Sequence, residues 1–150
     1  MNAEQELAEL MRDPWFAQGY QIRKEVMGAQ AVERDQTTRL NDEFQRPMWE
    51  FGVRAYGMVW SRPGLSRRER SIATLSAMVA NQTLEELKVH TRNAVRNGLT
   101  VAEIREILLH GAIYSGFPKA VAAFRAAREV LDEPETKKLA EENARSAQTR

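Results

Sequence analysis

The chain holds two imidazoles, His90 and His110, and no cysteine. His90 follows Glu86 by four residues, so on a helix the carboxylate and the imidazole share one face. An imidazole titrates near neutral pH and can pass a proton to or from a reacting group, and a carboxylate one turn away can orient it or share its charge. Structural readings stand beside these. Leu87, His90 and Ala94 form a stripe at helical spacing, which fits a hydrogen-bonded core histidine. Thr83-x-x-Glu86 matches a capping box, a role that needs no chemistry. His110 lies in line with Glu103 and Glu106 and reads as solvated. Arg54, Arg62 and Arg70, flanked by Tyr56, Trp60 and Ile72, read as partly buried guanidiniums able to hold a carboxylate. Arg67, Arg68, Arg92 and Arg96 read as solvated charges, and Tyr114, Ser115 and Phe117 end a helix as a pocket lining or a plain turn.

Composition excludes several classes of function. Without cysteine there is no disulfide, thiolate nucleophile or zinc–thiolate site. Two histidines and no dense carboxylate cluster argue against a dedicated metal site. The balance of 22 basic against 21 acidic residues argues against nucleic-acid binding. No apolar run reaches membrane-spanning length and no secretory signal opens the chain, so no membrane partner and a cytoplasmic location are expected.

The elements that must position these residues are helices. At 150 residues the chain is expected to be a single domain, with 1–18 as an N-terminal extension and 134–150 as a tail of uncertain order, frayed or packed on a partner. Residues 1–12 form a short amphipathic helix, and Asp13-Pro14 opens another that stops at Gly28. Residues 29–40 are polar and read as a loop. Asn41 caps a helix from about Asp42 to Trp60, or the helix starts near Pro47 after a separate turn. Ser66-x-x-Glu69, Thr83-x-x-Glu86 and Thr100-x-x-Glu103 each match the capping box, and Gly98 suits the position after a helix end. The 66–81 helix is apolar around most of its circumference, implying burial on all sides, and the last helix, 118–132, buries Val121, Phe124, Ala127, Val130 and Leu131. No strand alternation occurs, so the fold class is all-α. Trp15, Phe16, Trp49 and Trp60 need cover, which points to a homo-oligomer.

The blocks NDEFQ, RAYGMVWSRPGLSRRERS and LEELKVHTRNAVRNGLTVAEIREILLHGAIYSGFPKAVAAF resemble the carboxymuconolactone decarboxylase family, over about Gly19 to Asp132. The resemblance implies an all-α alkylhydroperoxidase D-like bundle assembled as a trimer or hexamer. It separates two chemistries. The peroxidase branch carries a glutamate, a Cys-x-x-Cys pair and a histidine, and the matching positions here are Ser71, Thr83, Glu86 and His90, which excludes peroxide reduction. The decarboxylase branch shows the Glu85-Glu86-Leu87 to His90 run. The resemblance implies a carboxy-lyase without a cofactor, acting on 4-carboxymuconolactone or a related small acidic lactone in aromatic catabolism by the protocatechuate (β-ketoadipate) route. On that basis His90 would protonate and stabilise the oxyanion, Glu86 would orient His90, and Arg54 and Arg70 would hold carboxylates. Tyr56, Trp60, Tyr114 and Ser115 would line the pocket. The alternatives are an isomerase or hydrolase paralogue acting on a related acid, and a non-catalytic helical oligomer that binds a small acid.

Overall fold

The computed structural model describes residues 3–149; positions 1 and 2 of the expected first helix lie outside the described residues. Every regular element among the described residues is helical, as the absence of alternation predicts. The chain forms two compact units, residues 1–64 and 65–150.

In the first unit, α1 (Ala3–Leu10) and α2 (Pro14–Met27) are separated by Asp13, which caps α2 by accepting from the Trp15 amide at 2.9 Å. Residues 29–40 are not a loop. They form α3 (Ala29–Arg39), whose polar side chains are themselves the reason: Asp35 accepts from Arg39 at 2.6 Å and from Arg23 at 2.7 Å. Val32 and Leu40 supply two buried anchors, enough for a helix that otherwise buries little. A turn capped by Asp42 then leads into α4 (Arg46–Ala55), with Pro47 in its first turn. The expected asparagine cap does not form; Asn41 Nδ2 reaches back to Thr37 O at 3.4 Å. Beyond α4 the helix widens into a π-helical turn, Tyr56–Trp60. Gly57 lets this turn lie against α2, since a Cβ there would sit 2.0 Å from Trp15 O. Phe16, Tyr20, Val32, Leu40, Trp49 and Val53 make the core. Phe16 and Trp49 are therefore covered within their own unit, whereas Trp15 remains about half exposed.

The second unit contains α5 (Arg67–Asn81), α6 (Leu84–Arg96), α7 (Val101–Ser115), α8 (Phe117–Leu131) and α9 (Pro134–Gln148). Its core joins Leu75 and Val79 of α5, Leu87, Ala94 and Val95 of α6, Ile104 and Leu108 of α7, and the alanines of α8. Fully burying a leucine of this kind contributes roughly 1.5–3 kcal/mol. Helix α5 is not buried on all sides: Ser71, Leu75 and Val79 face inward, while Ile72, Ala73, Ala77 and Ala80 lie on the exposed side. The buried row of α8 is Ala120, Ala123, Ala126, Ala127, Val130 and Leu131, so small side chains let the helices close up while Phe124 stays partly exposed. The tail, among the described residues, is a helix rather than frayed. Helix α9 buries Thr136 and Ala140, and Asn143 Nδ2 donates to the carbonyls of Val95 at 2.7 Å and Leu99 at 3.0 Å, satisfying the end of α6. Gly98, at φ 91°, takes the left-handed conformation that turns the chain from α6 toward α7.

Candidate active site

Three helices of the second unit begin with the same sequence pattern, and only two of them form the cap. At Ser66 and Thr100 the backbone is extended (ψ 166° and 161°), the hydroxyl accepts from the amide three residues on, and Glu69 and Glu103 reach back. At Thr83 ψ is 75°, and no side-chain cap bond is made. The cause is the short link between α5 and α6. Gln82 adopts a left-handed conformation, φ 57° and ψ 33°, and its Nε2 donates to Val79 O at 2.8 Å, closing α5 and turning Thr83 away from its own helix start. Glu86 is therefore not a cap residue. Its carboxylate is exposed and makes no hydrogen bond or ion pair among the described residues.

At about 100° per residue, positions 86, 90, 93 and 97 of α6 fall within roughly 60° of one another. Glu86, His90, Asn93 and Asn97 thus form a polar arc beside the apolar arc of Leu87, Ala94 and Val95. His90 is half-buried there, at the border of the core rather than inside it. The far end of the arc faces α5, where Asn97 Nδ2 donates to Ser71 Oγ at 2.9 Å. Arg70, half-buried, precedes Ser71 on α5. Glu86, His90 and Arg70 thus belong to one helix pair.

The other expected residues are placed differently. Tyr114 is 78% exposed and its ring tilts against His110 at 4.9 Å, while Ser115 is half-buried at the end of α7. In the first unit Tyr56 and Trp60 stack at 5.1 Å on the π-helical turn, an irregularity often found at functional positions. Burial raises the Tyr56 phenol above its ordinary range, with the Arg23 guanidinium opposing the shift. Arg54 is committed to neighbours: its Nε donates to Asp13 at 2.6 Å and its Nη1 to Glu50 at 3.1 Å. A cavity of about 400 Å³ beside it is lined by Glu6, Glu9, Leu10, Asp13, Arg46, Glu50 and Arg54. An anion entering it would meet more carboxylates than guanidiniums.

The arginines read as solvated are paired as well. Arg68 bonds Gly98 O and Glu103, and Arg92 grips Glu133 with two bonds at 2.8 and 2.6 Å. Those guanidiniums, through their hydrogen bonds, hold Glu103 and Glu133 below the usual carboxylate range. Asn93 and Asn97 lie within the LEELKVHTRNAVRNGL block, where neither has an assigned role. Their spacing of three and seven from His90 is the one signal that could have found them.

The family model for the carboxymuconolactone decarboxylase family matches residues 48–129. The chain is 39% identical over 119 residues to the nitrosuccinic acid decarboxylase of Metarhizium robertsii, covering 79% of this chain and 82% of the relative. It is 38% identical over 118 residues to the 4-carboxymuconolactone decarboxylase of Acinetobacter baylyi, covering 77% and 86%. The chain belongs to the carboxymuconolactone decarboxylase family. Within that family both of these relatives are named as decarboxylases, which supports a decarboxylase-like enzyme. The family match includes the whole of α5, α6 and α7 and therefore every residue of the arc. No helix among the described residues is long and apolar enough to cross a membrane.

Proposed function

We propose that the protein decarboxylates a small dicarboxylic acid in which the carbon losing CO2 is joined to an electron-accepting group. 4-Carboxymuconolactone and nitrosuccinic acid, the acids named for the two relatives, share one skeleton. Each carries a carboxylate on a carbon that also bears a CH2–COO⁻ arm, that is, a succinate unit. In the first the acceptor is the lactone carbonyl, reached through a C=C bond; in the second it is a nitro group. In either acid the pair from the breaking C–CO2 bond flows onto an acceptor oxygen, CO2 leaves, and a proton must then reach carbon. No electron sink other than the substrate's own is required.

His90 supplies that proton as imidazolium and recovers one from water. Glu86 steers it, a role supported by its position one turn from His90 and its absence from any cap. Arg70, on the helix that touches the arc through Ser71, holds a carboxylate of the substrate. The observation that carries the proposal is this Glu86–His90 pair on a helix start that leaves the carboxylate available.

The purified protein, given nitrosuccinate and 4-carboxymuconolactone separately, is expected to release CO2 from at least one. Turnover of the lactone would support the aromatic-catabolism role, and turnover of nitrosuccinate alone would move the protein out of it. Release of CO2 from neither would overturn the proposal.

A further inference from the structure

The arc on α6 contains two asparagines in contrasting states. Asn97 has its partner in Ser71 Oγ. Asn93, 4% exposed, differs: its Nδ2 is shut off from solvent and donates to no acceptor among the described residues. Buried amide nitrogens are nearly always hydrogen-bonded, because an orphaned donor forfeits its hydration without compensation. A hydrophobic or alanine residue would serve helix packing better at this position. The position itself is informative, since Asn93 lies one turn beyond His90 on the same face.

We infer that Asn93 is a catalytic residue whose Nδ2–H donates to the acceptor oxygen on which charge develops as CO2 departs. This rests on the decarboxylase reading of the same arc. The donor is neutral, which suits an oxygen that is weakly charged in the bound acid and fully charged once the C–CO2 pair has moved onto it. A permanent carboxylate is better matched by a guanidinium. A buried amide with no partner among the described residues has no hydrogen bond to give up as the charge appears. The acceptor oxygen and the carbon to be protonated belong to one conjugated unit, so the oxygen donor and the proton donor must stand close together. Adjacent turns of one helix provide that spacing.

The test uses turnover and binding together. Asn93→Ala is expected to lower kcat by about 10²-fold or more on whichever acid is turned over, with KM within about threefold of wild type. Its melting temperature should be equal or higher, because no hydrogen bond is lost. Binding is read with the nitronate form of 3-nitropropanoate, the carbanion that loss of CO2 leaves from nitrosuccinate, and with succinate, which has both carboxylates and no acceptor. Asn93→Ala should weaken the nitronate at least tenfold and leave succinate within about twofold. In the wild type, the Asn93 side-chain amide resonances should shift on adding the nitronate. An unchanged kcat in Asn93→Ala with normal wild-type turnover would overturn the role of Asn93 and leave the decarboxylase reading intact. If the wild type turns over neither acid but its Asn93 resonances respond to the nitronate, the substrate assignment fails and the oxyanion contact stands. No response to the nitronate overturns the contact whatever the turnover.

Discussion

Two polar surfaces in this protein invite the same first reading and are built in opposite ways. In the first unit, Asp13, Arg46, Glu50 and Arg54 form a closed network: Arg46 bonds Glu6 at 2.6 Å and Glu50 at 2.9 Å, and Arg54 bonds Asp13 and Glu50. On α6 of the second unit, Glu86 lacks both a cap and an ion pair among the described residues, and the buried donor of Asn93 finds no acceptor among them. A charged group satisfied by its own fold is held in place and has little left to offer a ligand. A polar group that its own fold leaves without a partner is available to a ligand, and where it is buried, as the Asn93 amide is, leaving it so costs stability.

The sharpest test of this contrast is the loss of the proton donor. His90→Ala is expected to lower kcat by about 10³-fold in the CO2-release assay, the usual scale for removing a general acid. Arg54→Ala, on the closed network, should leave kcat within about twofold and instead lower the unfolding free energy by about 1 kcal/mol in urea titrations. A large rise in KM for Arg54→Ala without loss of stability would break the contrast and restore Arg54 as a carboxylate-binding residue.

The repeated Ser/Thr-x-x-Glu pattern gives a finer version of the same comparison. Glu103→Gln removes a formed capping-box carboxylate and the partner of Arg68, and should cost about 1 kcal/mol of stability with kcat unchanged. Glu86→Gln, at the same place in its helix, should leave the melting temperature unchanged and lower kcat about tenfold through His90. The reverse pattern, a destabilised and fully active Glu86→Gln, would return Glu86 to the structural role its sequence context suggests.

These two glutamates also show what could be read in the sequence and what could not. Helix periodicity, Pro47 in a first turn and Gly98 after a helix end are local signals, and each is seen in the structure. The state of the Thr83 cap was not legible, because it depends on the two-residue link that forces Gln82 left-handed, a constraint imposed by the packing of α5 on α6. Residues 29–40 looked like a loop because helical support there comes from pairs such as Arg23 with Asp35, which bridge two helices and leave no trace in hydrophobic spacing. The same holds for α9: Asn143 reaches the carbonyls of Val95 and Leu99, a contact that no property of the tail by itself discloses. His90 stood out by type and spacing. Asn93 did not, since an asparagine in a helix is ordinary and only its burial without an acceptor is not.

The smallest expected effect comes from pH and separates paired from unpaired carboxylates once more. Arg92, through its hydrogen bonds, lowers the pKa of Glu133 from its ordinary value, joining α6 to the start of α9. A carboxylate whose folded pKa lies below its unfolded one contributes stability that is present above the unfolded value, near 4.3, and is lost as pH falls through the folded value. Both side chains are about 41% exposed, so solvent screening limits the contribution to about 0.5 kcal/mol, or roughly 1–2 °C in melting temperature. Glu133→Gln should therefore melt slightly below wild type at pH 7, and the gap should close as the pH is lowered through the acid range. Glu86→Gln should melt together with wild type at pH 7, because Glu86 makes no hydrogen bond or ion pair among the described residues. A Glu86→Gln protein that melts below wild type at pH 7 would mean that Glu86 is paired in the folded protein, and the contrast between the two surfaces would no longer hold.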